Sequence, residues 1–89
     1  MPKGELSEKL LQHKILQELA SLIFIYRKKN KITLQELSNK TSNDIKFLSN
    51  LERGKHDTQI TNYLKIAKVL KIPASAIGEL AERYFRETI

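Results

Sequence analysis

The side chains that could carry chemistry are sparse and far apart. His13 and His56 stand 43 residues apart, and the chain has no cysteine. Metal sites draw on clustered His, Cys and carboxylate ligands, so this pair supports one only weakly. The glycines are Gly4, Gly54 and Gly78, which leaves no glycine-rich loop to cradle a nucleotide. Serine and histidine are present, but no nucleophile elbow surrounds a serine. The carboxylates of Glu36, Asp44 and Glu52 fall where caps or ion pairs would use them. An enzyme, a cofactor, a metal and a small-molecule ligand are therefore not expected, and His13 reads as a solvated helix residue. What remains is positive charge. The net charge is +6, and it is uneven. Residues 26–72 hold eleven Lys and Arg against four Asp and Glu, whereas residues 1–25 balance and residues 73–89 carry −1. A basic patch is the footprint of a nucleic-acid binder. A lysine-rich solvated face is the plainer alternative, and charge alone does not separate them.

The elements that would position this charge centre on Thr33 to Gly54. Thr33 with Glu36 three residues later spells a capping box, in which each side chain takes up a free backbone N–H. That helix is expected to run to about Lys40. Thr41, Ser42 and Asn43 interrupt the apolar pattern with side chains that prefer local backbone bonds. Asp44 offers a second N-cap. A further helix carries Ile45, Leu48, Leu51 and Glu52 before Gly54, which stands where a left-handed residue ends a helix. Two short helices about a three- or four-residue turn make a helix-turn-helix.

Around this motif the periodicity predicts three more helices and no strand. Residues 1–6, with Pro2 and Gly4, read as a flexible N-terminus, and residues 7–89 as one domain. Ser7 is the expected cap of a first helix reaching about Lys29. Its apolar face is Leu16, Leu19, Ala20, Ile23 and Tyr26, widened by Leu11, Ile15 and Leu22. Phe24 and Ile25 fall outside that stripe, with Leu10 on their side, and call for cover from another segment or a second chain. Thr58 is the expected cap of a fourth helix with a stripe of Ile60, Tyr63, Leu64, Ala67 and Leu70. Pro73 suits the start of a fifth helix over residues 74–88. There Ile77, Leu80, Ala81, Tyr84, Phe85 and Thr88 share a face, with Glu79, Glu82, Arg83 and Arg86 opposite. The fold class is all-α, with five helices.

Taken in order, residues 19–78 resemble the lambda-repressor-like DNA-binding domain of the Cro/XRE type, found in phage repressors and bacterial regulators. The resemblance rests on the Arg of YRKKNKIT, the capped TLQELS, the FLSNLERG that closes the third helix, and KIAKVLKI in the fourth. It implies a structural ion pair between Arg27 and Glu52. It places the third helix in a major groove, with Asp44, Ile45, Lys46, Phe47, Ser49 and Asn50 toward the bases. Lys46 would donate to guanine, Asn50 would pair with adenine, and Ile45 would meet a thymine methyl. Phe47 has two readings, a base contact or a ring packed under the helix. Thr33, Lys55 and His56 would contact phosphates. The sequence also departs from the family pattern. Leu34 replaces the glutamine that commonly opens the second helix, and is expected to be exposed. Asn43 replaces the apolar residue that usually anchors the turn, and Asp57 sets a negative charge in a phosphate-facing loop. Asp44-Ile-Lys-Phe-Leu-Ser is also similar to a stretch of restriction–modification controller proteins, which are small dimeric regulators.

The resemblance implies a transcriptional regulator that binds specific double-stranded DNA as a homodimer on a palindromic operator. Phe24, Ile25, Leu80, Tyr84 and Phe85 are the candidate dimer interface. Their alternative role is internal, the last helix covering the first. A different function on the same fold is protein interaction, as an antitoxin or anti-repressor partner, with Leu34 and Phe47 in an apolar contact patch. The longest apolar run, Leu22 to Tyr26, is five residues, far below a membrane span, so no membrane partner and a cytoplasmic location are expected.

Overall fold

A computed structural model describes residues 3–87 of the chain, and the side chains from Lys9 onward. Five helices follow one another: α1 (Lys3–Lys29), α2 (Leu34–Thr41), α3 (Ile45–Glu52), α4 (Ile60–Leu70) and α5 (Ala74–Glu87). No strand occurs among the described residues. α1 starts at Lys3, ahead of the expected cap, so Ser7 lies within the helix. The run Glu5 to Leu11 consists mostly of good helix formers and carries the helix through Gly4. Met1, Pro2 and Thr88 lie outside the described residues.

The helix ends follow from local chemistry. The α2 capping box is complete: Glu36 N donates to Thr33 Oγ1 at 3.1 Å, and Thr33 N donates to Glu36 Oε1 at 3.2 Å. Asp44 caps α3 by accepting from Lys46 N at 3.1 Å. Gly54 has φ 72. Gly54 N donates to Leu51 O and Lys55 N to Asn50 O, the paired bonds of a Schellman end. α1 and α4 end the same way without glycine. Lys31 (φ 55) and Lys71 (φ 60) take the left-handed position, and the amides of Ile32 and Ile72 reach back to Arg27 O and Ala67 O. The Asn30 amide joins these two ends, donating to Tyr26 O at 2.7 Å and Leu70 O at 2.8 Å.

The core lies between α1, α2, α3 and α4. Ile23, Leu37, Leu48, Leu51, Tyr63, Ile66, Ala67, Leu70 and Ile72 form one buried cluster. Two details of α4 differ from the sequence reading. Its N-cap is Gln59 rather than Thr58, with no side-chain cap bond. The Thr58 hydroxyl instead accepts from Asn62 Nδ2 at 2.9 Å. The buried stripe is Tyr63, Ile66, Ala67 and Leu70, and Ile60 and Leu64 lie to one side of it, exposed.

α5 packs along α1. Leu80 is buried there, and Tyr63 Oη donates to Leu19 O beneath it. Arg83 sits at the helix–helix edge, where Nη1 meets both Glu18 carboxylate oxygens at 2.6 and 2.7 Å. That hydrogen bond, with the charge of Glu18, raises the Arg83 pKa above its ordinary value. Leu80 therefore serves the inside of the chain and is not available to a second one. Phe24, Ile25 and Phe85 are exposed, and Tyr84 is half-buried, accepting a bond from Gln12 Nε2 at 3.3 Å.

Candidate nucleic-acid interface

α3 divides into two faces. Leu48 and Leu51 are buried and fix the helix to the core. Ile45, Lys46, Ser49, Asn50 and Arg53 fall on the opposite side. Ile45, Lys46 and Arg53 are exposed, and Ser49 and Asn50 are half-buried. This outward face offers an ammonium, an amide, a hydroxyl, a guanidinium and an apolar branch. Those groups can read base edges in a major groove. Arg53 was not among the sequence candidates. Its spacing of seven from Lys46 and four from Ser49 is the signal that finds it.

Asp44 is exposed, and one carboxylate oxygen is committed to the Lys46 amide. Phe47 lies off the outward face. Its half-buried ring packs against the core and stacks on His56, with centroids 6.2 Å apart and planes 9° from parallel. Of its two readings, packing is the one that its surroundings match. Leu34 is likewise half-buried and packs against the core, where full exposure was the expectation. As the first residue of α2, Leu34 can turn its side chain back over the core.

The flanks of α3 carry the other candidates. Lys55 and His56 are exposed in the loop after Gly54. Gln17 of α1 donates to Gly54 O at 3.3 Å and steadies the start of that loop. Thr33 is exposed, but its hydroxyl and amide are both taken up by Glu36. A phosphate at this helix start would meet a carboxylate already in place.

Arg27 and Glu52 tie α1 to α3 through a two-pronged pair, Nε to Oε2 at 2.5 Å and Nη2 to Oε1 at 3.0 Å. The remaining prong, Nη1, donates to Ile32 O at 3.0 Å. The two side chains are only 10% and 6% exposed, so the guanidinium fork is matched where little water reaches it.

The turn is anchored by an unexpected device. Asn43 and Asn62 exchange amide hydrogen bonds, each Nδ2 to the other Oδ1 at 3.0 Å. Asn43 thus fills its half-buried place by pairing with α4, where an apolar residue would pack. Ser38 Oγ donates to Asn43 O at 2.6 Å, and the buried Thr41 hydroxyl donates to Leu37 O at 2.7 Å. Ser42, with φ 57, makes the left-handed corner.

Among the described residues no three His, Asp or Glu side chains gather as a metal site would need. No described helix is long and apolar enough to cross a membrane. A groove of about 320 Å³ runs between α1, α5 and the start of α4. Its lining is apolar apart from Asp57, Thr58 and the hydroxyls of the two tyrosines, and it lies beside the loop that follows α3.

No curated protein and no solved structure matches the chain. A family model described as helix-turn-helix matches residues 23–77, from the last quarter of α1 into α5 and across the whole of α2, α3 and α4. That span covers more than half of the sequence and includes the Arg27–Glu52 pair, both caps and the outward face of α3. The chain belongs to the helix-turn-helix family of the Cro/XRE type, a family of DNA-binding regulators.

Proposed function

We propose that the protein recognises a specific duplex DNA sequence as a homodimer on a palindromic operator, and regulates transcription from it in the cytoplasm. The observation that carries this reading is the outward face of α3. Lys46 and Asn50 stand on it together, with Arg53 at the cap just beyond, on a helix whose opposite side is locked into the core. Lys46, Ser49, Asn50 and Ile45 read bases, with Asp44 at the entry to the helix. Lys55 and His56 contact phosphates, whereas Thr33, already held by Glu36, serves as the cap of α2. The basic excess of residues 26–72 supplies the attraction to the DNA backbone.

Dimerisation is supported by economy of surface. A single eight-residue recognition helix reads few bases, and two copies on related half-sites double the reading. Phe24, Ile25 and Phe85, respectively 45%, 54% and 73% exposed, remain candidates for the contact, with Tyr84 at its edge. The test is selection from random duplex DNA, followed by binding at increasing salt and a solution mass. A recovered palindrome, a steep negative salt slope and a doubled mass are expected. Equal affinity for selected and random duplexes would remove the specific reading, and a monomeric mass on the selected site would remove the dimer.

A further inference from the structure

The recognition helix is bordered by two segments that must both lie correctly against a duplex. One is the turn Ser42–Asp44, which leads into α3. The other is the loop Lys55–Gln59, which leaves it. Among the described residues no backbone hydrogen bond joins the two segments. One side chain does. Asn62, in the first turn of α4, accepts from Asn43 Nδ2 and donates to Asn43 Oδ1, both at 3.0 Å. The same Nδ2 also donates to Thr58 Oγ1 at 2.9 Å. Both amide hydrogens are then spent, one on each border, and the carbonyl oxygen is engaged as well.

We propose that Asn62 is a positioning residue for DNA binding, a clamp that holds the turn before α3 and the loop after it in one arrangement. The proposal rests on the DNA-binding reading given above. The buried Leu48 and Leu51 fix the helix itself to the core. The loop that carries Lys55 and His56 is otherwise held at its ends by Lys55 N on Asn50 O and Tyr63 N on Gln59 O. Within, it is held by the Phe47–His56 stack, Gln17 on Gly54 O and the local bond from Thr58 N to Asp57 Oδ1 at 2.7 Å. The chemistry is particular to asparagine. A carboxylate of the same shape has no donor, a hydroxyl has one, and a leucine has neither donor nor acceptor. Asn62 touches no base or phosphate in this role, because it acts through Asn43 and Thr58.

The test compares Asn62→Leu and Thr58→Val with the parent chain, in two readouts. The first is the backbone order parameter in the free protein. Asn62→Leu should lower it at Ser42–Asp44 and at Lys55–Thr58 together, from about 0.85 toward about 0.6, with the helices unchanged. Thr58→Val should lower it in the loop alone. The second is binding to the selected operator. Asn62→Leu should weaken it about tenfold, the scale of losing a hydrogen-bonded pair. Both variants should flatten the salt slope by about one, the contribution of one phosphate contact. The proposal is overturned if Asn62→Leu leaves affinity and slope at parental values, or if only one of the two segments loosens. Should Asn62→Leu fail to fold, an unchanged loop and slope in Thr58→Val overturn it equally. If the parent chain itself binds DNA without salt or sequence dependence, the DNA reading falls, while the order parameters still decide whether the clamp exists.

Discussion

At the scale of single residues, charge burial separates the side chains that matter for folding from those available for binding. Every prong of Arg27 is used, two on Glu52 and one on the Ile32 carbonyl, in a place with little water. Removing its partner strands a buried cation. Glu52→Ala should therefore cost roughly 3–5 kcal/mol of stability in urea unfolding. Tyr63 gives a pH dependence of known sign. Burial raises its pKa from 10.0 to about 12, since the phenolate would lose its water. The folded state keeps the proton after the unfolded chain has released it. Stability should be level below pH 10 and fall by roughly 1.4 kcal/mol per pH unit between the two values. Melting curves between pH 9 and 12 should show this fall, and in Tyr63→Phe that part of it should be missing. Lys46 on the outward face and Lys55 in the loop beyond it should behave differently. Lys46→Ala should relax preference at one operator position by about 1–3 kcal/mol, while Lys55→Ala should weaken all duplexes alike and flatten the salt slope by about one. Equal losses on selected and random DNA for both would show that Lys46 reads no base.

At the scale of elements, three helices end in the same Schellman geometry, but only α3 ends on glycine. A lysine in the left-handed region carries a steric cost that glycine lacks. Lys71→Gly should raise stability by up to about 1 kcal/mol, and Gly54→Ala should lower it by about 1–2 kcal/mol, as read by the shift in denaturation midpoint. The Gly54 end was legible in the sequence, because glycine after a helical stripe has one common meaning. The capping box and the Asp44 cap were legible for a similar reason, since they lie within four residues of what they cap. What was not legible depended on partners far along the chain. Thr58 looked like a helix cap, but the Asn62 amide takes its hydroxyl. Asn43 looked like a misfit in the turn until its partner 19 residues away came into view. Of the expected α4 stripe Tyr63, Ala67 and Leu70 are buried and Ile66 joins them, while Ile60 and Leu64 share their spacing but stay exposed, because only the position of the core decides the edge of the face. Leu34 was judged by the family's habit, and its burial was set by the neighbouring helices.

At the scale of the whole molecule, the chain is longer than a ball of its size. Its radius of gyration is 13.9 Å, against about 12 Å for a compact domain of this length. The cause is α1, whose 27 residues span about 40 Å at the usual rise. Its C-terminal half belongs to the DNA-binding core. Toward its N-terminus α1 runs along α5, held by the Glu18–Arg83 pair and by Gln12 on Tyr84. Leu80→Ala should cost about 2–5 kcal/mol as an internal cavity. Phe85→Lys, at a residue 73% exposed, should leave the fold intact and lower the solution mass if this end of α5 makes the dimer. An unchanged mass would place the contact on Phe24 and Ile25.

The pairing of α1 with α5 also has a consequence for biosynthesis. Gln12 and Tyr84, which bond across it, are 72 residues apart. At about 5–20 residues per second, the N-terminal half of α1 waits roughly 4–14 seconds after its own synthesis before its cover is made. Through that interval Leu11, Ile15 and Leu19 have no native partner on α5, although α2, α3 and α4 can already close on the other half of the same helix. The nascent chain thus carries most of the recognition core beside an open apolar stripe, and in that period it is most exposed to chaperones, proteases and other copies of itself.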